Sequence, residues 1–129
     1  MNRETVCLLP EIKSVGGPAA FQQRFITAAA KQGITAHFDS SRKDIGAYLV
    51  IGAPRKFIPT LYSARQRGIP VIQRLNGMNW IHRVRPSGWL YGKKADLANN
   101  RLSFFRKHIA TGIVYQSPFC ETHWNEVYG

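Results

Sequence analysis

Short, nearly continuous apolar runs alternate along this chain with longer stretches in which apolar residues return every three or four positions. Thr5 to Leu9 is the first run, closed by Pro10, the pattern of a buried parallel strand ended by a breaker. After the loop from Glu11 to Pro18, Phe21, Phe25 and Ala28 recur at helical spacing, with Pro18 in the first turn and Gly33 at the stop. Ile34, Ala36 and Phe38 then alternate with polar neighbours up to the turn cluster Asp39-Ser40-Ser41 and predict a second strand. Tyr48 to Ile51 predicts a third, ending at Gly52-Ala53-Pro54, and Phe57, Leu61 and Ala64 mark a helix stopped by Gly68. Val71 and Ile72 predict a fourth strand that ends near Arg74, with a turn at Leu75-Asn76-Gly77. Met78 to Gly92 carries no clean period and reads as a long loop. Tyr91, Ala95, Ala98, Leu102, Phe105 and Ile109 predict an amphipathic helix that stops by Gly112. Ile113 to Tyr115 is a fifth strand. Ser117-Pro118 then caps a last helix through Phe119, His123 and Val127.

Strands and helices in alternation imply right-handed crossovers and a mostly parallel sheet covered on both faces, so the expected fold is a Rossmann-like three-layer α/β sandwich of about five strands. With 129 residues and 44% hydrophobic composition, the chain suits one packed domain. Ligands of such sheets collect at the carboxyl ends of the strands, where the strand order reverses. Four segments are expected to converge there: the loop after the first strand, Gly52 to Lys56, Arg74 to Asn79, and Gln116-Ser117.

Charge narrows the partners. Eighteen Lys and Arg against seven Asp and Glu give a net charge of +11, a field that attracts nucleic acid, anionic lipid headgroups, phosphorylated substrates or an acidic companion domain alike. The basic residues are scattered in pairs such as Arg42-Lys43 and Arg106-Lys107, which points to a folded basic face rather than a polybasic tail. Cys7 and Cys120 have no neighbour at metal-ligand spacing, and the simplest setting is a reduced, cytoplasmic one. His37, His82, His108 and His123 show no ligand spacing either, so no metal is expected.

The loop Lys13-Ser14-Val15-Gly16-Gly17-Pro18 lies between a strand and a helix. There, glycines let a ligand approach the backbone and helix N–H groups favour an anion, although two glycines also serve simply to shape a tight turn. A dinucleotide site is disfavoured because Gly-x-Gly-x-x-Gly is absent, and Asp39 reads as a turn residue. Arg74 offers a phosphate partner, and Asn76, Gly77 and Asn79 continue a binding loop, with a plain Asn-Gly turn as the alternative. Trp80, Trp89 and Tyr91 with Arg83 and Arg85 form an aromatic, basic segment suited to sugar rings, bases or a lipid interface, or else to the core.

These residues carry a resemblance. The opening VCLLPEIKSVGGPAAF, the stretch GIPVIQRLNG and the stretch GIVYQSPFCETHW together resemble the amino-terminal half of family 4 glycosyltransferases of the GT-B class, over nearly the whole chain. The resemblance implies that residues 1–129 form the acceptor-side domain. A carboxyl-terminal domain, absent here, would hold the sugar nucleotide, the co-substrate, with no bound cofactor. It implies that Lys13, Gly16 and Gly17 face the donor diphosphate or the acceptor, that Arg74, Asn76, Gly77 and Asn79 line the cleft, and that Ser117 joins them. Trp80, Arg83 and Arg85 would meet a sugar or lipid-linked acceptor, with peripheral contact at the inner membrane face. Many relatives carry His or Asp in the cleft loop where this chain has Asn76, and Asn is no general base near neutral pH, so no catalytic residue is assigned. The chain alone would then not complete a reaction. Two alternatives stand beside this reading: a basic α/β module that binds nucleic acid, and a small dehydrogenase-like or flavodoxin-like protein.

Overall fold

The computed structural model describes residues 5–75 and 89–129, the side chains of 89–91 excepted. Five strands, β1 (Thr5–Leu9), β2 (Thr35–His37), β3 (Ile45–Ile51), β4 (Val71–Leu75) and β5 (Gly112–Tyr115), form one sheet in the order β2-β1-β3-β4-β5. Every described pairing is parallel. Helices α1 (Gly17–Lys31), α2 (Ile58–Gln66), α3 (Trp89–His108) and α4 (Pro118–Tyr128) connect or follow the strands, and a 3-10 turn at Arg55–Phe57 leads into α2. The architecture is the expected α/β Rossmann-like sandwich.

Alternation along the strands sorts the layers. Cys7, Leu9, Tyr48, Val50 and Val71 share one core with Leu61 and Ala64 of α2 and with Phe105 and Ile109 of α3. Leu75 continues that face and meets Trp124 of α4, with Leu102, Ile113 and Tyr115 around it. Arg74 points the opposite way along β4, and there its guanidinium lies over the ring of Phe21, 4.4 Å from the centroid. Thus α1 lies on one face and α2, α3 and α4 lie on the other, a less even cover than strict alternation predicts.

The alternation also breaks between β2 and β3, which are joined by the turn around Asp39 to Asp44 with no helix. The physical reason is the length of β2. A strand of three residues climbs so little that its end remains near the amino edge where β3 starts, and a short turn covers the return. Asp39 holds that turn, accepting on Oδ1 from the Ser41 N–H at 3.0 Å and from the Ser41 hydroxyl at 2.5 Å, so its reading as a turn residue is correct.

Other boundaries also differ from expectation. The expected loop from Met78 to Gly92 is already helical from Trp89 on; its earlier part lies outside the described residues, as do positions 76–77 of the expected turn at Leu75-Asn76-Gly77, whose first residue instead belongs to β4, paired with Tyr115. β3 starts at Ile45, earlier than Tyr48, because Ile45 pairs with Thr5 and is buried. α4 buries Cys120 and Trp124 and leaves Phe119 exposed, so its inward face is one position on from Phe119, His123 and Val127. α1 buries Gln22 and Ala29, while Phe21 and Phe25 lie at 6.3 Å from each other at its margin.

Candidate anion-facing crevice at the carboxyl edge

Because β1 has β2 on one side and β3 on the other, and the segments after β1 and β3 leave toward opposite faces, the carboxyl ends of β1 and β3 flank the crevice where doubly wound sheets bind ligands. The edge is laced together from strand to strand: the Gly52 N–H donates to Arg74 O at 3.2 Å and the Gln116 N–H to Leu75 O at 3.1 Å.

The loop after β1 is held from beneath by a residue the sequence pattern does not single out. Gln22, 1% exposed, donates from Nε2 to Pro10 O at 2.7 Å and accepts on Oε1 from the Ile12 N–H at 3.0 Å. Both ends of the amide are used, and Pro10 to Ile12 is fixed against α1. Beyond it the chain is open: Lys13, Ser14, Val15, Gly16 and Gly17 are all exposed. Gly16 has φ 153° and ψ −175°, a region that essentially only glycine occupies. Gly17 needs no such freedom, and a Cβ built on it meets nothing within 4 Å. The double glycine therefore divides into one residue required by the backbone and one that leaves space above the helix start.

That start is electrically bare. Gly16 provides no side-chain cap, and no acidic residue occupies the first turn of α1, so the positive end of the helix dipole faces solvent at the crevice. Among the described residues of the edge segments, Lys13, Arg55, Lys56 and Arg74 are basic and Glu11 is the sole acid. Arg74 sits in the stack with Phe21, which fixes it beside α1.

The wall after β3 depends on a second buried glutamine that sequence reasoning missed. Gln73, 0% exposed, donates from Nε2 to Gly52 O at 3.0 Å, while its Oε1 has no hydrogen-bond partner among the described residues. A signal for it existed: in Val71-Ile72-Gln73-Arg74-Leu75 the period of two puts Gln73 on the inward face. Ser117 serves as the N-cap of α4, accepting from the Cys120 N–H at 3.2 Å, and its hydroxyl lies 3.3 Å from Cys120 Sγ. Asn76, Gly77, Asn79, Trp80, Arg83 and Arg85 lie outside the described residues, as do the side chains of Trp89 and Tyr91.

The amino edge behaves differently. The Asp39 N–H donates to His37 Nδ1 at 3.1 Å, which leaves the proton on Nε2, 2.9 Å from Thr5 Oγ1; Thr5 in turn donates to Asp44 O at 3.1 Å. Burial first, and Arg42 second, lower the pKa of His37 from its ordinary value. Burial pushes the Cys7 thiol up to about 12, an inert structural cysteine. No group of three or more His, Cys, Asp or Glu with metal-holding geometry occurs among the described residues, and no helix among them is long and apolar enough to cross a membrane. Compared with protein-family models, with curated proteins and with solved structures, the chain gives no match in any of the three.

Proposed function

We propose that this chain is the acceptor-side domain of a nucleotide-sugar glycosyltransferase, with the crevice between the ends of β1 and β3 turned toward the diphosphate of a donor held by a second domain. The observation that carries the reading is the bare, glycine-opened start of α1 at the point where strand order reverses. The resemblance of the double-glycine loop and of the Gln116-Ser117 segment to family 4 enzymes supports it from the sequence side.

The chemistry asks for what this edge offers. An acceptor hydroxyl attacks the anomeric carbon, the bond from that carbon to the diphosphate oxygen breaks, and negative charge grows on the departing diphosphate. Helix N–H groups and basic side chains such as Lys13 stabilise that charge without a metal. Gln22 serves the reaction indirectly, because it holds the loop that sets where Gly16 and Gly17 stand. The acceptor is a cell-envelope glycan or a lipid-linked sugar, reached from the cytoplasmic side, and a net charge of +11 favours approach to an anionic membrane face.

The test starts with the coding sequence downstream of Gly129 and continues with the full protein incubated with a panel of nucleotide sugars. Release of nucleoside diphosphate is expected. Gly17→Val, which fills open space, is expected to lower turnover at least about tenfold while leaving the melting temperature within a few degrees. A reading frame without a second α/β domain, together with no diphosphate release from any donor, would sink the reading.

A further inference from the structure

A second cleft, away from the crevice, opens at the amino edge of the sheet. It encloses about 360 Å³ and is lined by Ser40, Ser41, Lys43, Tyr48, Thr60 and Arg67, among others. Its size falls within the ~300–1,000 Å³ range of small-molecule sites and exceeds what a bare phosphate ion fills. Ile45, the first residue of β3, and Ile69, just before β4, also line it, which places it at the opposite edge from the glycine loop.

Its charges do not cancel. Arg42 is paired with Asp44 through two bonds, Nε to Oδ1 at 2.9 Å and a terminal nitrogen to Oδ2 at 2.6 Å, so that carboxylate is committed. Lys43 and Arg67 come from distant parts of the chain, converge on the same cleft, and make no ion pair among the described residues. Arg67, which lines the cleft, donates from Nε to Ser63 O at 3.4 Å, and among the described residues its terminal nitrogens form no ion pair. Two cations converging on one cavity without a carboxylate repel each other, and an anion between them relieves that repulsion. Two hydroxyls in the lining, from Ser40 and Thr60, add donors suited to phosphoryl oxygens, whereas the Ser41 hydroxyl is already given to Asp39. The turn that carries Ser40 to Lys43 is set by the Asp39 bonds, so these groups stand on a built loop. Tyr48, 3% exposed, belongs to the core and closes the floor of the cleft.

We infer that this cleft binds a phosphate monoester of a small polar molecule, with Lys43 and Arg67 on the phosphoryl group and the rest of the volume left to the body of the ligand. The site is independent of the crevice at the carboxyl edge and does not rest on the proposed function.

Isothermal titration calorimetry at constant ionic strength tests this with ribose 5-phosphate, inorganic phosphate and ribose as probes. Saturable binding of ribose 5-phosphate is expected, at least tenfold tighter than inorganic phosphate, with none for ribose. Lys43→Ala and Arg67→Ala are each expected to weaken it about tenfold or more, and Lys107→Ala, an exposed lysine of α3 outside both clefts, to leave it unchanged. Both cleft substitutions remove outward side chains, and circular dichroism confirms that the variants remain folded. Equal affinity for the two phosphates, no saturable binding, or binding indifferent to Lys43→Ala and Arg67→Ala each overturns the inference. A loss as large in Lys107→Ala does so too, because it reduces the effect to net charge.

Discussion

Two buried glutamines stand behind the two walls of the crevice, and they are not used alike. Gln22 spends both halves of its amide on the loop after β1, on Pro10 O and the Ile12 N–H. Gln73 spends one half on Gly52 O, after β3, and leaves Oε1 without a partner among the described residues. A buried polar group contributes little net stability when satisfied but costs the full desolvation of whatever it leaves unpaired. The wall built by Gln22 is therefore the fixed one, whereas the wall at Gly52 carries an unfilled acceptor. Placement of the glycine loop is a property of the helix beneath it, not of the loop residues themselves.

The largest effect should come from removing the complete clasp. Gln22→Leu leaves the Pro10 carbonyl and the Ile12 N–H unpaired and is expected to cost about 3 kcal/mol, roughly 10 °C in melting temperature. Urea unfolding and faster exchange of the Ile12 amide would register it, and a cost below 1 kcal/mol would dissolve the contrast. Next, Gly16→Ala forces a side chain into a backbone region reserved for glycine, at about 2 kcal/mol, whereas Gly17→Ala is neutral or stabilising by up to about 1 kcal/mol. Equal costs for the two would mean that the glycines share one role. Gln73→Leu gives up a bond but also removes the orphaned acceptor, so its net change should stay within about 1 kcal/mol. If it proves as costly as Gln22→Leu, Oε1 has a partner, such as a buried water.

The smallest effect lies at the amino edge, where the polar groups form a closed chain. The pKa of His37 is depressed, so the fold favours the neutral ring. Below the ordinary value of 6.5 the unfolded chain takes up a proton that the folded one refuses. Stability from His37 is thus complete above that pH and is lost as pH falls toward the folded value. His37→Gln should flatten that part of the stability curve between pH 7 and 5, measured by urea midpoints. An unchanged slope would show that His37 is not its source.

Much of this was legible in the chain because nearly continuous apolar runs bounded by breakers announce buried parallel strands. Thr5–Leu9 lies where its run places it, Val71–Leu75 starts as read but keeps Leu75 in the strand, and Ser117-Pro118 caps a helix as read. What was not legible has a common cause. In α1 the eye follows Phe21 and Phe25, yet those rings lie at the helix margin, one of them under Arg74, and the inward positions belong to Gln22 and Ala29. In α4 Phe119 and Val127 suggest one face, but Trp124 buries far more surface and turns the helix by a residue. Helical spacing of polar residues carries no sign of burial until the partner carbonyl is known, and the Pro10 carbonyl became visible only in three dimensions.

The position of β1 in the sheet has a consequence in time. It lies between β2 and β3, and its residues Cys7, Leu8 and Leu9 are at most 1% exposed once paired. During synthesis, however, the strand emerges before either neighbour exists. At about 5–20 residues per second, the interval between Leu9 and Ile51 lasts on the order of several seconds. For that interval the apolar residues of β1 have no neighbouring strand to join.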